Sequence, residues 1–120
     1  MAKKILVVDD NVTILKMYYL VLTSCGYEVA CAMDGASALI KFQQMKPDML
    51  ILDLEMPAAS GLEVYRRLRE NLAQFIPVLF ITGRPEQIPR EMILSGDAKL
   101  LGKPVKLPML KVMVQQMIGA

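Results

Sequence analysis

Three carboxylates and a lysine are placed where they could do chemistry together. Asp9 and Asp10 follow the apolar run Ile5-Leu6-Val7-Val8, Asp53 ends the run that begins Met49-Leu50-Ile51-Leu52, and Lys103 precedes Pro104 beyond a later one. Asp53 stands 43 residues after Asp10 and 50 before Lys103. Carboxylates brought within a few ångströms repel each other, and a hard divalent cation lets them stay ionised together. Magnesium prefers few protein carboxylates plus waters and phosphate oxygens, so Asp10 and Asp53 with coordination positions to spare point to phosphoryl chemistry. In that chemistry Asp53 is the nucleophile and forms an acyl phosphate once the charge of the attacked group is neutralised. Lys103 supplies a point positive charge, Thr82 a hydroxyl donor and the backbone after Asp53 further donors for phosphoryl oxygens. No general base is required, because the carboxylate is already deprotonated.

For these residues to meet, each must sit just past a strand of the same sheet. Apolar runs flanked by helix-period segments alternate five times, the pattern of strands buried on both faces by crossover helices. The pattern predicts strands over Lys4 to Val8, Tyr27 to Ala32, Met49 to Asp53, Ile76 to Ile81 and Ala98 to Leu101. Helices are expected over Val12 to Ser24 behind an Asn11 cap, Ala36 to Met45 behind an Asp34 cap, and Gly61 to Leu72. Gly26 suits a left-handed residue after the first helix, and Pro47 stops the second. Thr82-Gly83-Arg84-Pro85 is expected as loop. A short fourth helix is expected near Pro89 to Leu94, since Pro89 fits a helix only at its first position, and a last helix from Leu107 to Ile118. The fold class is α/β, a doubly wound five-stranded parallel sheet. Right-handed crossovers bring every carboxyl end to one edge, where open sheets of this kind form their sites. Asp9, Asp10, Asp53, Thr82 and Lys103 all fall there.

With 120 residues, 54% of them hydrophobic, the chain suits one compact domain. A formal net charge of +2 with scattered basic residues gives no footprint for nucleic acid or an anionic membrane. The apolar stretch between Lys4 and Asp9 is too short for a signal-peptide core, and no run approaches a membrane span. Cys25 and Cys31 read as reduced thiols in a chain large enough to need no staples, which points to a cytoplasmic address. Histidine is absent, which excludes histidine-based triads, phosphohistidine carriage by this chain and mixed zinc sites. The first strand leads into Asp-Asp rather than a glycine-rich loop, so a nucleotide-binding fold is poorly supported.

The set Ile5-Leu6-Val7-Val8-Asp9-Asp10, Gly26-Tyr27-Glu28-Val29, Asp34-Gly35, Lys46-Pro47-Asp48, Leu52-Asp53-Leu54-Glu55-Met56-Pro57, Gly61, Ile81-Thr82 and Lys103-Pro104 resembles, in order and spacing, a receiver domain of bacterial two-component response regulators. The resemblance is to the stand-alone CheY-like kind and covers nearly the whole chain. It implies a flavodoxin-like (βα)5 fold with strand order 2-1-3-4-5, and one receiver domain over residues 1–120 without an output domain. It implies Asp53 as phosphoacceptor, taking phosphate from the phosphohistidine of a sensor histidine kinase or from a phosphotransfer protein. Asp10, Asp53 and the Glu55 carbonyl would bind Mg2+ directly and Asp9 through water. Thr82 and Lys103 would contact the phosphoryl group, and the Lys103-Pro104 bond would be cis. Such a domain is a signalling switch rather than a turnover enzyme: phosphate shifts an equilibrium between two surface conformations and changes affinity for a downstream protein.

The chain also departs from the family. Leu100 stands three residues before Lys103, where a Tyr or Phe is usual, so the readout at the fourth-helix, fifth-strand face is expected to differ. The interval from Thr82 to Gly96 is one residue shorter than usual and is stiffened by Pro85 and Pro89. Glu55 and Arg84 flank the path of water to the acyl phosphate and are expected to pair across the site mouth and slow hydrolysis. Met109, Leu110, Val112, Met113, Val114, Met117 and Ile118 cover about 240° of the last helix at 100° per residue, wider than a core stripe. This predicts a surplus apolar face near Leu100 that packs on a partner or on a second copy as a homodimer. Leu100 also feeds a rival reading, a phosphorylation-independent interaction module, which the intact Asp9, Asp10, Asp53, Thr82 and Lys103 oppose. A small aspartate-nucleophile phosphatase is disfavoured, since Glu55 stands where a second Asp would be needed and no cap domain is present.

Overall fold

The computed structural model describes residues 2–56, 61–72, 76–90 and 98–119. Strands β1 (Lys4–Val8), β2 (Glu28–Ala32), β3 (Met49–Asp53), β4 (Val78–Thr82) and β5 (Ala98–Gly102) make one parallel sheet in the order β2-β1-β3-β4-β5. Helices α1 (Val12–Ser24), α2 (Gly35–Met45), α3 (Gly61–Leu72) and α4 (Leu107–Ile118) accompany them, with a 3-10 turn at Pro85–Gln87.

The period-two alternation of a strand decides which helices each side chain meets. Leu6, Val8, Leu50, Leu52, Val78 and Phe80 pack with Phe42 of α2 and with Val64 and Tyr65 of α3. Ile5, Val7, Met49, Ile51, Leu79 and Ile81 turn the other way, toward Leu15, Tyr18 and Leu22 of α1 and Leu110 and Val114 of α4. Because β1, β3 and β4 are covered on both faces, their sequences read as continuous apolar runs rather than alternating ones. Phe80 is fully buried, and its ring centroid lies 5.4 Å from that of Tyr65 at an interplanar angle of 59°. Phe80→Ala is expected to lower the unfolding free energy by about 3–5 kcal/mol, read from urea melts, a large part of the stability of a domain this size.

Local chemistry sets the helix ends. The Asn11 side chain accepts from the Ile14 N–H at 3.1 Å and the Asp34 side chain from the Ser37 N–H at 2.7 Å, each taking one donor that the first helical turn leaves unpaired. Gly26, with φ of +94°, turns the chain out of α1 where a side chain would be strained. Lys46 ends α2 in the same left-handed region, at φ 49° just before Pro47.

Several expectations shift. β2 starts at Glu28, one residue later than Tyr27. β4 begins at Val78 because Pro77 has no N–H to give to the ladder, and it runs on through Thr82, which pairs with Gly102. Pro85 opens a 3-10 turn rather than plain loop. Of the helix expected near Pro89 to Leu94, Arg90 is helical and the part from residue 91 lies outside the described residues, as does Gly96. Leu100 packs into the core shared with α2 and α3, whereas Leu101 packs into the cluster on the opposite face of the sheet, to which α4 contributes Leu110 and Val114. The single docking face expected from Leu100 and the last helix therefore divides, since neighbouring strand residues point apart. On α4 the exposed surplus comes down to Met109 and Val112.

Cys25 and Cys31 are free thiols, and burial pushes that of Cys31 above its ordinary pKa. Among the described residues no helix is long and apolar enough to cross a membrane. Tyr27, just before β2, donates its hydroxyl to the Gly119 carbonyl at 2.6 Å, and the Lys3 ammonium donates to the Ile118 carbonyl, so the end of α4 is held at the amino ends of the strands.

Candidate functional site

All five strands run the same way, so the residues that follow them collect at one edge. Backbone bonds fix the spacing there: Asp9 N–H to Ala32 O at 3.1 Å, Leu54 N–H to Ile81 O at 3.0 Å, and Lys103 N–H to Thr82 O at 2.9 Å. These bonds extend the ladders past the last paired residues and set the acidic groups, the threonine and the lysine around one opening. Sequence reasoning assigned Asp9, Asp10, Asp53, Thr82 and Lys103 to this edge, and the structure brings them together there.

On the acidic side, one carboxylate oxygen from each of Asp9, Asp10 and Asp53 lies within 4.8 Å of the others. Asp9 and Asp53 are almost wholly buried and Asp10 partly so. Asp9 Oδ1 accepts from the Asn11 N–H at 2.9 Å, while its buried Oδ2 has no hydrogen-bond partner among the described residues. Burial pushes the Asp9 carboxyl up to about 6; the Asn11 bond opposes this and the charge of Asp53 adds to it. Nearby, Tyr18 on α1 is pushed up to about 12, by burial first and then by the charges of Asp9 and Asp53. An orphaned buried carboxylate oxygen among three carboxylates fits a hard divalent cation with its bound waters, the ion supplying the missing charge and a water the missing partner.

The other side is cationic and rich in donors. Lys103 Nζ lies 2.9 Å from Asp53 Oδ1 and 3.0 Å from Glu55 Oε2. Burial pulls the Lys103 pKa down, but its bonds to Asp53 and Glu55 outweigh that and leave it above the ordinary value. Asp53 Oδ1 also accepts from the Glu55 N–H at 3.0 Å. Thr82, fully buried, donates its hydroxyl to Glu55 Oε1 at 2.7 Å and accepts from the Arg84 N–H at 2.8 Å. The Gly83 N–H also donates to Glu55 Oε1, at 2.7 Å. Glu55 meets a burial penalty that would raise its carboxyl, yet the bonds from Thr82, Lys103 and Gly83 together hold it down at about 2. The Lys103–Pro104 peptide bond is cis.

The pair expected between Glu55 and Arg84 does not form. Glu55 turns inward to Thr82, Gly83 and Lys103, and the hydrogen bond from Arg84 to this site is its backbone one to Thr82. The Gly83 and Asn11 amides were also missed, because a backbone donor carries no side-chain signal. The arrangement joins a buried carboxylate to a cation-binding cluster on one side and to oxyanion donors on the other, which is what transfer of a phosphoryl group to a carboxylate requires.

Comparison with known proteins agrees with that geometry. Residues 5–115 match the response regulator receiver domain family. The chain is 40% identical over 98 residues to the alkaline phosphatase synthesis transcriptional regulatory protein PhoP of Bacillus subtilis (strain 168), covering 82% of this chain and 40% of PhoP. It is 35% identical over 105 residues to the transcriptional regulatory protein TrcR of Mycobacterium tuberculosis, covering 87% of this chain and 40% of TrcR. It thus spans about two fifths of the length of these relatives. The chemotaxis protein CheY4 of Vibrio cholerae superposes with a TM-score of 0.86 at 33% identity, over 98% of this chain and 99% of that one. On fold, on the matched span and on these likenesses, the chain belongs to the response regulator receiver domain family.

Proposed function

We propose that the chain is a phosphoacceptor switch of a two-component system, a receiver domain phosphorylated on Asp53. One observation carries this reading: the buried Asp53 carboxylate stands between the Asp9 and Asp10 carboxylates and the Lys103 ammonium, 2.9 Å from its Oδ1. Receiver domains are signalling switches rather than turnover enzymes and characteristically bind Mg2+. Here Asp10, Asp53 and the Glu55 carbonyl would hold the ion, with Asp9 acting through water. When bound, it neutralises phosphoryl oxygens and the acidic cluster together.

Asp53 attacks the phosphorus of a phosphohistidine on a sensor kinase or phosphotransfer protein. The carboxylate O–P bond forms as the N–P bond breaks, and the departing imidazole keeps the bonding pair and takes up a proton. Lys103 and Thr82 meet the charge on the equatorial oxygens, and the Gly83 amide lies beside them. Movement of Thr82 toward the phosphoryl group then shifts β4 and β5 between two states that a downstream protein distinguishes. Leu100, packed among apolar neighbours, would read that movement by repacking instead of by exchanging a hydroxyl between core and solvent.

Incubating the protein with acetyl phosphate and Mg2+ is expected to add one phosphoryl group by intact mass, with none added when the metal is chelated. No gain at saturating donor and metal would favour the phosphorylation-independent interaction module instead.

A further inference from the structure

We propose that the Glu55 carboxylate is a resident stand-in for the phosphoryl group, holding the donors of the site until phosphorylation displaces it. This rests on Asp53 as the phosphoacceptor. Glu55 Oε1 takes the Thr82 hydroxyl and the Gly83 amide, each at 2.7 Å, and Oε2 lies 3.0 Å from Lys103 Nζ. Thr82 and Lys103 are the side chains that a phosphoryl group on Asp53 needs. A carboxylate resembles one edge of that group: Oε1 accepts from a hydroxyl and an amide, and Oε2 stands in ion-pair contact with an ammonium.

The geometry differs from that of a surface ion pair. The three donors come from the end of β4, from the residue after it and from the segment after β5, and they converge on one side chain that is only 31% exposed. The backbone amide of Glu55 is tied to Asp53 Oδ1 at 3.0 Å, so the side chain can swing while its base stays at the site. Lys103 is shared between the Asp53 and Glu55 carboxylates.

Two consequences follow for the switch. An entering phosphoryl group meets donors already occupied and an extra negative charge beside Asp53, so Glu55 must rotate out before the acyl phosphate is stabilised. Before phosphorylation, Thr82 is already turned toward the site, because its hydroxyl is bonded to Glu55. Glu55 therefore raises the threshold for phosphorylation and narrows the difference between the two states at Thr82.

The test uses Glu55→Gln and Glu55→Ala, with Glu86→Gln removing an equal charge from an exposed residue outside the site. Phosphorylation rates are measured at sub-saturating acetyl phosphate with saturating Mg2+. Both Glu55 variants are expected to react faster by about tenfold, the equivalent of one charge-assisted hydrogen bond that no longer has to be broken. Glu86→Gln is expected to match the wild type. The Thr82 methyl resonance supplies a readout that general loosening would not reproduce. In the wild type it should lie close to its beryllofluoride-bound position; in Glu55→Ala it should move away and return when beryllofluoride is added.

Rates within about twofold of wild type with an unmoved Thr82 methyl would overturn the proposal, as would equal acceleration by Glu86→Gln. Phosphorylation absent from the wild type and every variant would overturn the Asp53 reading and this inference with it. Phosphorylation that proceeds in all of them at one rate would remove only the role of Glu55.

Discussion

Asp53→Asn is expected to leave the protein folded and unable to accept a phosphoryl group. The substitution keeps the shape of the side chain and an oxygen for the Glu55 amide to donate to, which it does at 3.0 Å in the native chain. It removes the anionic nucleophile, and an amide oxygen has no comparable electron density to give to phosphorus. Loss of a nucleophile of this kind costs on the order of 10³-fold or more in rate. Lys103 retains Glu55 at 3.0 Å, so the cation is not stranded, and the thermal midpoint should hold or rise as one of three clustered carboxylates is neutralised. Phosphoryl incorporation from acetyl phosphate, followed by mass, checks it. Incorporation at the wild-type rate would move the acceptor to another residue.

Asp9→Asn is expected to act in opposite directions on the two forms of the protein. Without metal, Asp9 is a buried carboxylate beside two others with one oxygen unpartnered, and burial raises its folded pKa from 3.8 to about 6. A raised folded pKa means that the folded state holds the proton more tightly than the unfolded one. The stability this contributes is complete below about pH 4 and is lost as pH rises through about 6. At pH 7 the metal-free wild type should therefore be less stable than at pH 4 in respect of this group, by on the order of 2–3 kcal/mol, and Asp9→Asn should remove that part of the slope. Glu55 works the other way. Its folded carboxyl is lowered from 4.5 to about 2, so its contribution is present above pH 4.5 and lost only as pH falls toward 2. With Mg2+ the order reverses: the wild type gains stability by binding, whereas Asp9→Asn should bind about 10–100-fold more weakly, as expected when a group that orients a ligand shell is removed. Thermal melts from pH 4 to pH 8, with and without Mg2+, give both results. A metal-free melting curve with the same pH slope in both proteins would refute the account.

The sheet was readable from sequence because its physics is local and repetitive. Ile5-Leu6-Val7-Val8 and Met49-Leu50-Ile51-Leu52 are continuous because both faces of β1 and β3 are covered, and Asn11, Gly26 and Asp34 mark helix ends through their own backbone and side-chain chemistry. The convergence of Asp9, Asp10, Asp53, Thr82 and Lys103 followed from parallel topology alone. What escaped prediction depends on which way single side chains turn. Glu55 was assigned to Arg84 across the opening, but a side chain with three rotatable bonds settles where its donors are, and Thr82, Gly83 and Lys103 present three. The surplus apolar face of the last helix is expected near Leu100, but strand alternation gives Leu100 and Leu101 to opposite faces of the sheet. Pro77 shifted the start of β4 for a reason visible in the sequence: an imide nitrogen cannot donate to a central ladder.

The latch of Tyr27 on Gly119 and of Lys3 on Ile118 has a practical corollary. It anchors the tail of α4 at the amino ends of the strands, a full strand length from Asp9 after β1 and Asp53 at the end of β3. A fluorophore or affinity handle joined there would project away from the docking approach of a phosphodonor, so immobilised protein should retain its reactivity. A reporter meant to sense occupancy of Asp53 belongs instead near Arg84, whose amide is bonded to the Thr82 hydroxyl.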